Sequence, residues 1–522
     1  MSSNNGSVIR IALTVALGGF LMGFDASVIS GVVRFIEPEF GLSKLQLGWA
    51  VGSLTLTSTI AMLLAGPLSD RFGRRTVLKW AATLFAVSAI GSALAPTFST
   101  LVIARMLGGF GVGASLIIAP MYIAEIAPPK LRGRLVSLNQ LNIVTGISAA
   151  FFSNYLILQW AQSDAGWVQM LMIDEHAWRW MLGLETLPAV LYFFGLLFVP
   201  KSPRWQIMAG QLEEARATLT NFVGAEEAGR QLQDVQESLE ADRHKEKARL
   251  KDIFHPYLRL VLVIGVVLAI LQQITGINAV FFYAPVIFEQ SGIGTDASFM
   301  QAVFVGLTNL GFTVLAIMFI DRLGRKPLLI GGMAGITLMM MLLAYGFNQA
   351  TYELTEESIA AIEAPVDTEL LRRDMMGITY QHDVAFKQAL IQSIGEEQAI
   401  EAESALITAA IDINPTLILF GILGFVASFA ISIGPVMWVM FSELFPLRVR
   451  GLAVSFAGFI NSGVSFSVQL IFPWELATFG SSITFFIFGV FAFMGLIFVW
   501  KVVPETKNKT LEELEAQLVR TS

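Results

Sequence analysis

Runs of about twenty apolar residues, separated by short polar turns, recur along almost the whole chain. Each is long enough to cross a hydrocarbon core as a helix. Their spacing predicts twelve spans. The first half gives 11–33, 46–69, 76–95, 98–123, 134–158 and 180–200; the second gives 257–290, 298–320, 327–347, 415–441, 450–473 and 481–503. Two long stretches break the rhythm. Residues 201–256 are mixed in charge and helical in pattern, as in Gln211-Leu212-Glu213-Glu214-Ala215-Arg216, and residues 348–414 are acidic, with helix-like runs such as Ala399 to Ala410. The pattern predicts an all-α membrane protein of two six-helix bundles, 1–200 and 257–505. A helical linker at 201–256 joins them, a solvated insertion or a lid occupies 348–414, and a tail follows at 506–522.

Two of the polar turns are near copies. Asp70-Arg71-Phe72-Gly73-Arg74-Arg75 closes the second span and Asp321-Arg322-Leu323-Gly324-Arg325-Lys326 closes the eighth. A basic loop is common, but two copies at matching places imply a duplicated bundle with a parallel repeat, an architecture of secondary transporters. Lys and Arg also crowd the turns after the fourth span (Lys130, Arg132, Arg134), the sixth (Lys201, Arg204) and the tenth (Arg448, Arg450), whereas alternate turns are poor in them. Even spans therefore exit into the cytoplasm, both termini are cytoplasmic, and the insertion lies on the outer face.

Composition narrows the chemistry. Hydrophobic residues make up 55% of the chain and charged residues 14%. In soluble domains the charged share is roughly 25%. The net charge of −7 and the scattered cations point away from nucleic acid. With no Cys and four His at unrelated positions, thiolate chemistry, disulfides and a metal motif are excluded, and no phosphate loop or nucleophile triad is present. An enzyme is not expected, nor a cofactor. The polar start of the chain runs directly into the first span, so no cleaved signal is expected.

Polar residues inside spans carry the candidate chemistry, because burying them in lipid without a partner is costly. The seventh span holds Gln272, Gln273 and Asn278 around Gly276, and Gln140 and Asn309 add amides in the fifth and eighth. An amide both donates and accepts, as a sugar hydroxyl does, so an uncharged amide set suits a neutral polyol. Trp438, after Gly434-Pro435, offers a flat apolar face to a pyranose. The competing reading is that these groups only hold helices together, which also fits the Gly108–Gly113 run. Asp25 places a carboxylate in the first span, and Arg105 in the fourth is its candidate partner.

The chain resembles the sugar porter family of the major facilitator superfamily over nearly its whole length, nearest to bacterial D-xylose–proton symporter-like members. The resemblance rests on Gly66 through Arg75, Asp321 through Arg325, Glu125 with Arg132-Gly133-Arg134, and Trp178-Arg179-Trp180. It rests also on Pro200-Lys201-Ser202-Pro203-Arg204, Gln272 through Asn278, and Pro504-Glu505-Thr506-Lys507. It implies sugar-binding roles for Gln140, Gln272, Gln273, Asn278, Asn309 and Trp438, and an aromatic gate at Tyr283. Asp70, Arg74, Glu125, Arg132, Arg204, Asp321, Arg325, Glu443, Arg450 and Glu505 would form cytoplasmic ion pairs that hold an outward-open state. Asp25 and Arg105 fall where proton-coupled members carry Asp and Arg. Lys201 departs from the usual glutamate, and Ser462 from a frequent tryptophan; Asn461 beside it is a further pocket candidate.

The expected function is alternating-access transport of a monosaccharide, pentose or hexose, by proton symport. The expected setting is a bacterial inner membrane, with the bilayer and a proton as partners and the chain as a monomer. A facilitative sugar or polyol uniporter is the nearer alternative. A transporter-like sugar sensor is the more distant one, disfavoured by the short stretch from Lys507 to Ser522.

Overall fold

In the computed structural model, 11 helices among the described residues are long and apolar enough to cross a membrane. The structure describes residues 5–244, 249–362, 364–446, 449–507, 509 and 513, so most of the 506–522 tail lies outside the described residues. The first six spans are Gly6–Phe40, Lys44–Phe72, Arg74–Ala93, Phe98–Ile126, Gly133–Ala161 and Ala177–Leu197. The next four are Pro256–Glu289, Thr295–Leu323, Arg325–Asn348 and Pro415–Leu444. The last helix, Arg450–Lys501, has 52 residues. At about 1.5 Å per residue it is about 78 Å long, which exceeds two hydrocarbon thicknesses. It is broken at Gly480 (φ 78, ψ 171), so it supplies the expected eleventh and twelfth spans as two pieces. The sequence leaves 474–480 between these two spans, and the break falls at the last residue of that interval, where only glycine adopts the backbone angles without strain, while Pro473 continues the helix, as membrane helices allow.

Contacts gather the chain into two compact units. One comprises Met1–Ala26, Ser53–Ala150 and Arg179–Arg249; the other comprises Ser27–Gly52, Phe151–Trp178 and Leu250–Ser522. In the first unit, the glycines of the fourth span are contact points. A Cβ on Gly109 would lie 2.0 Å from Thr57 Oγ1, and one on Gly113 would lie 2.2 Å from the Ser58 carbonyl. Helices in lipid gain by such close approach, because the surrounding tails are as apolar as their own side chains. Phe85, Ile118, Tyr122, Tyr192 and Leu196 fill the core between them. The linker contributes helices Pro203–Met208, Leu212–Val223 and Ala225–His244 to this unit.

The insertion belongs to the second unit and is more than a solvated helical loop. Strands β1 (Thr351–Glu353), β2 (Thr379–Tyr380) and β3 (Ile411–Asp412) form an antiparallel sheet in the order β2-β1-β3. Five short helices surround it, and Tyr352, Leu354, Leu371, Phe386, Leu390, Leu406 and Ile407 make a core of their own. Tyr352 stacks on Phe386 at 5.4 Å. Strands of two or three residues are too short to show alternation, which is why the pattern predicts only helices here.

Candidate functional site

In the second unit the seventh span is discontinuous. Helix Arg259–Ile274 ends, Gly276 adopts φ 92 and ψ 13, and a second helix runs Ile277–Glu289 with a further irregularity at Tyr283. A Cβ at Gly276 would meet the Phe488 ring at 2.6 Å, so both backbone angle and space require glycine. The interruption gathers the amides. Gln272 Nε2 donates to the carbonyl of Gly434 at 3.0 Å, on the tenth span, which is itself broken at Ser432. Gln273 Nε2 donates to Gln272 Oε1 (3.2 Å) and to Asn461 Oδ1 (3.1 Å). Asn461 Nδ2 donates to Gln272 Oε1 (2.8 Å) and the Ala269 carbonyl (2.9 Å). Asn278 Nδ2 donates to Gln273 Oε1 at 2.7 Å. Asn461 therefore sits at the centre of the network rather than at its margin. Tyr283 closes the far end, its hydroxyl donating to the Gln469 carbonyl at 3.0 Å.

Other expected sugar ligands are placed separately. Asn309 is buried on the eighth span, with no hydrogen bond to this network among the described residues. Trp438 is 44% exposed, with its ring edge-on to Phe441. Gln140 is exposed in the first unit.

The first unit holds the charged site. Asp25 and Arg105 are both 1% exposed, with Arg105 Nη1 3.5 Å from Asp25 Oδ1. Gly108 makes room for the carboxylate: a Cβ there would lie 2.7 Å from Asp25 Oδ2. A third group, not anticipated, completes the site. Glu185 of the sixth span is 2% exposed and interacts electrostatically with both Asp25 and Arg105. Asp25 Oδ2 and Glu185 Oε1 are buried without a hydrogen-bond partner among the described residues. Two buried carboxyl groups thus lie within electrostatic range of one guanidinium, which pairs with Asp25. The signal that singled out Asp25, a carboxylate within an apolar span, applies equally to Glu185.

The duplicated turns make corresponding residue pairs. Arg74 reaches Asp70 (2.9 Å) and Glu125 (3.1 Å), while Arg325 reaches Asp321 (3.1 Å) and Glu443 (2.7 Å). Ser202 donates to Glu125 as Thr506 donates to Glu443. Each arginine also donates to a carbonyl five residues back, Ser69 or Ile320. The copies differ at Lys201 and Glu505. Glu505 accepts the backbone N–H groups of Arg325 and Lys326, both at 3.1 Å, at the start of the ninth span. Burial pushes its carboxyl up, but N–H groups of Lys507, Arg325, Lys326 and Thr506 outweigh this and hold it below the usual range, as hydrogen bonds to the ionised form do. Lys201 stands at the corresponding place in the other copy. A cation is repelled by a helix N-terminus, and Lys201 turns to Glu214 at 3.1 Å instead. Arg204 lines a cavity of about 760 Å³ with Asp70, Arg74 and Glu125. Arg450 donates to the Phe445 carbonyl at 3.0 Å, and its Nη2 is buried without a partner among the described residues. The side chain of Arg132 lies outside the described residues.

The family model "Sugar (and other) transporter" matches residues 11–364 and 402–518. The arabinose-proton symporter of Bacillus subtilis is 36% identical over 98% of this chain and 96% of its own length. The D-xylose-proton symporter of Escherichia coli is 35% identical, again over 98% and 96%. Among solved structures, the inward-open xylose transporter XylE from E. coli superposes with a TM-score of 0.73 at 34% identity, covering 98% of this chain and 99% of that one.

Proposed function

Since the chain belongs to the sugar transporter family of the major facilitator superfamily, we propose that it carries a monosaccharide across the membrane together with a proton. It is a multi-pass membrane protein of a transporter family rather than of an enzyme family. On this reading residues 1–200 and 257–505 are the two six-helix halves, the turns carrying Arg74 and Arg325 face the cytoplasm, and the insertion faces outward. The amides Gln272, Gln273, Asn278 and Asn461, with Gln140, Asn309, Tyr283 and Trp438, are the sugar ligands. Their mutual hydrogen bonds exchange for bonds to hydroxyls, so binding leaves no buried donor unsatisfied.

The observation that carries proton coupling is the buried Asp25–Arg105 contact beside Glu185. While the contact is made, the guanidinium favours the ionised carboxylate. If helix movement opens it, a carboxylate in a low-dielectric setting lacks its counter-ion and takes a proton. The proton then belongs to one state of the cycle, which ties sugar movement to the proton gradient.

The test is uptake and counterflow in sealed vesicles with a panel of pentoses, hexoses and inositols. One or more sugars should accumulate under an inward proton gradient and dissipate with an uncoupler. Asp25→Asn should abolish accumulation while retaining counterflow. Counterflow by the native chain without accumulation would replace symport by facilitated diffusion, and absence of counterflow for every sugar would end the sugar reading.

A further inference from the structure

The end of the second unit that carries the insertion encloses a cavity of about 240 Å³, with charged lining from three parts of the chain. Arg34, Glu37 and Lys44 come from the hairpin between the first two spans. Glu289 and Gln290 come from the end of the seventh span, and Lys387 and Glu403 from the insertion. Arg34 pairs with Glu289 and also donates to Thr295, and Lys44 pairs with Glu37. Lys387 pairs with Glu403 at 2.7 Å. Gln290 joins the insertion to the seventh span, accepting from Lys387 Nζ at 2.9 Å and donating to Glu403 at 3.3 Å.

The hairpin is drawn in as well. Burial pushes the Glu403 carboxyl up, yet Lys387 and then Lys44 pull it down to about 2. Nearby cations favour the ionised form, and the hairpin lysine lines the same cavity as the insertion carboxylate. A second tie lies at the break between the last two spans. Asp383 accepts from the Ser481 N–H (2.9 Å) and the Ser481 hydroxyl (3.1 Å). Gly480 permits this approach, since a Cβ there would lie 2.2 Å from Asp383 Oδ1.

Three cations in this set face three carboxylates, and Glu396 and Glu401 are exposed on the rim. Ions matched among themselves have no charge left over to recognise a solute. What they join is informative: a hairpin from the first half of the sequence, helices from the second half, and a separately folded insertion. We propose that the insertion is an ionic clasp, fastening the 27–52 hairpin to the seventh span and thereby holding this face of the protein shut. The face is the outer one on the reading above, and only that assignment rests on it. Ion pairs of this kind break and reform at modest cost, as a closure that must open in every cycle requires.

The chain has no native cysteine, so one introduced thiol reports without background. Val286→Cys, on the cavity lining, is labelled with a bulky maleimide in purified full-length protein, where sidedness does not enter. Lys44→Met and Glu403→Gln should each raise the labelling rate about twofold to fivefold, the upper part of the range for ion pairs open to water. The double variant should label no faster than the faster single one. Unchanged rates in both singles overturn the clasp, and so do effects that multiply in the double, because independent sites behave that way. Should Glu403→Gln fail to fold, Gln290→Leu removes only the neutral bridge; faster labelling supports the clasp and an unchanged rate overturns it. A chain that labels as expected but moves no sugar keeps the clasp and loses the transport reading.

Discussion

Asn461 shows what single residues disclose and what they withhold. Its amide makes two donor bonds and one acceptor bond, to Ala269, Gln272 and Gln273, so it sets the orientation of both glutamines. Sequence makes it a pocket candidate beside Ser462 but does not tie it to the glutamines, because no spacing rule links positions nearly two hundred residues apart. Gln272, Gln273 and Asn278 were legible for the opposite reason: three amides in seven residues of an apolar run have no inexpensive explanation. Asn461→Leu should therefore behave like a first-contact mutation. Removing one buried partner costs on the order of 1–3 kcal/mol, roughly one to two decades in affinity. We expect Asn461→Leu and Gln273→Ala to weaken sugar binding by at least tenfold, read by calorimetry, in protein that stays monodisperse. Native affinity in both would move the site away from this network.

At the scale of elements, the breaks matter more than the helices. The apolar pattern locates the seventh, tenth and last helices well, but it registers a kink only where glycine or proline has no alternative role. Gly276 could be read that way, lying between amides, and Gly480 closes the 474–480 interval left between the last two spans. Gly276→Ala forces a left-handed backbone angle on a residue with a Cβ, at a cost of roughly 1–2 kcal/mol. It also drives that Cβ into Phe488. It should lower the melting temperature and misalign Gln273 and Asn278, reducing sugar affinity together with stability. Unchanged melting and binding would mean that the seventh span repacks without its break. The start of the ninth span gives a pH prediction. The Glu505 carboxyl is held below its ordinary range, so its contribution to stability is present above that range and is lost as pH falls through the folded value. Glu505→Gln should lower the melting temperature modestly at neutral pH and flatten its decline on acidification. A decline as steep as in the native chain would show that the helix start does not need this carboxylate.

At the scale of the whole molecule, the Asp70–Arg75 and Asp321–Lys326 turns are near copies in sequence, and their arginines, carboxylates and hydroxyls form corresponding pairs. The insertion was legible only as something outside the repeat. Its sheet explains how such a segment is tolerated. β1 and β3 are antiparallel neighbours, with Thr351 opposite Asp412. The chain therefore leaves and re-enters the bundle at adjacent points, about 5 Å apart. Residues 352–411 can then be replaced by a short Gly/Ser linker without stretching the ninth or tenth span, and closing so short a loop costs little. The deletion should insert, stay monodisperse and retain sugar counterflow, since every expected sugar ligand lies outside it. It should also abolish slow labelling at Val286→Cys, because Lys387 and Glu403 are gone while Arg34 and Glu289 remain. Slow labelling that persists would place closure in the Arg34–Glu289 pair alone. Loss of counterflow in a well-inserted deletion would give the insertion a part in the transport cycle itself, beyond fastening one face.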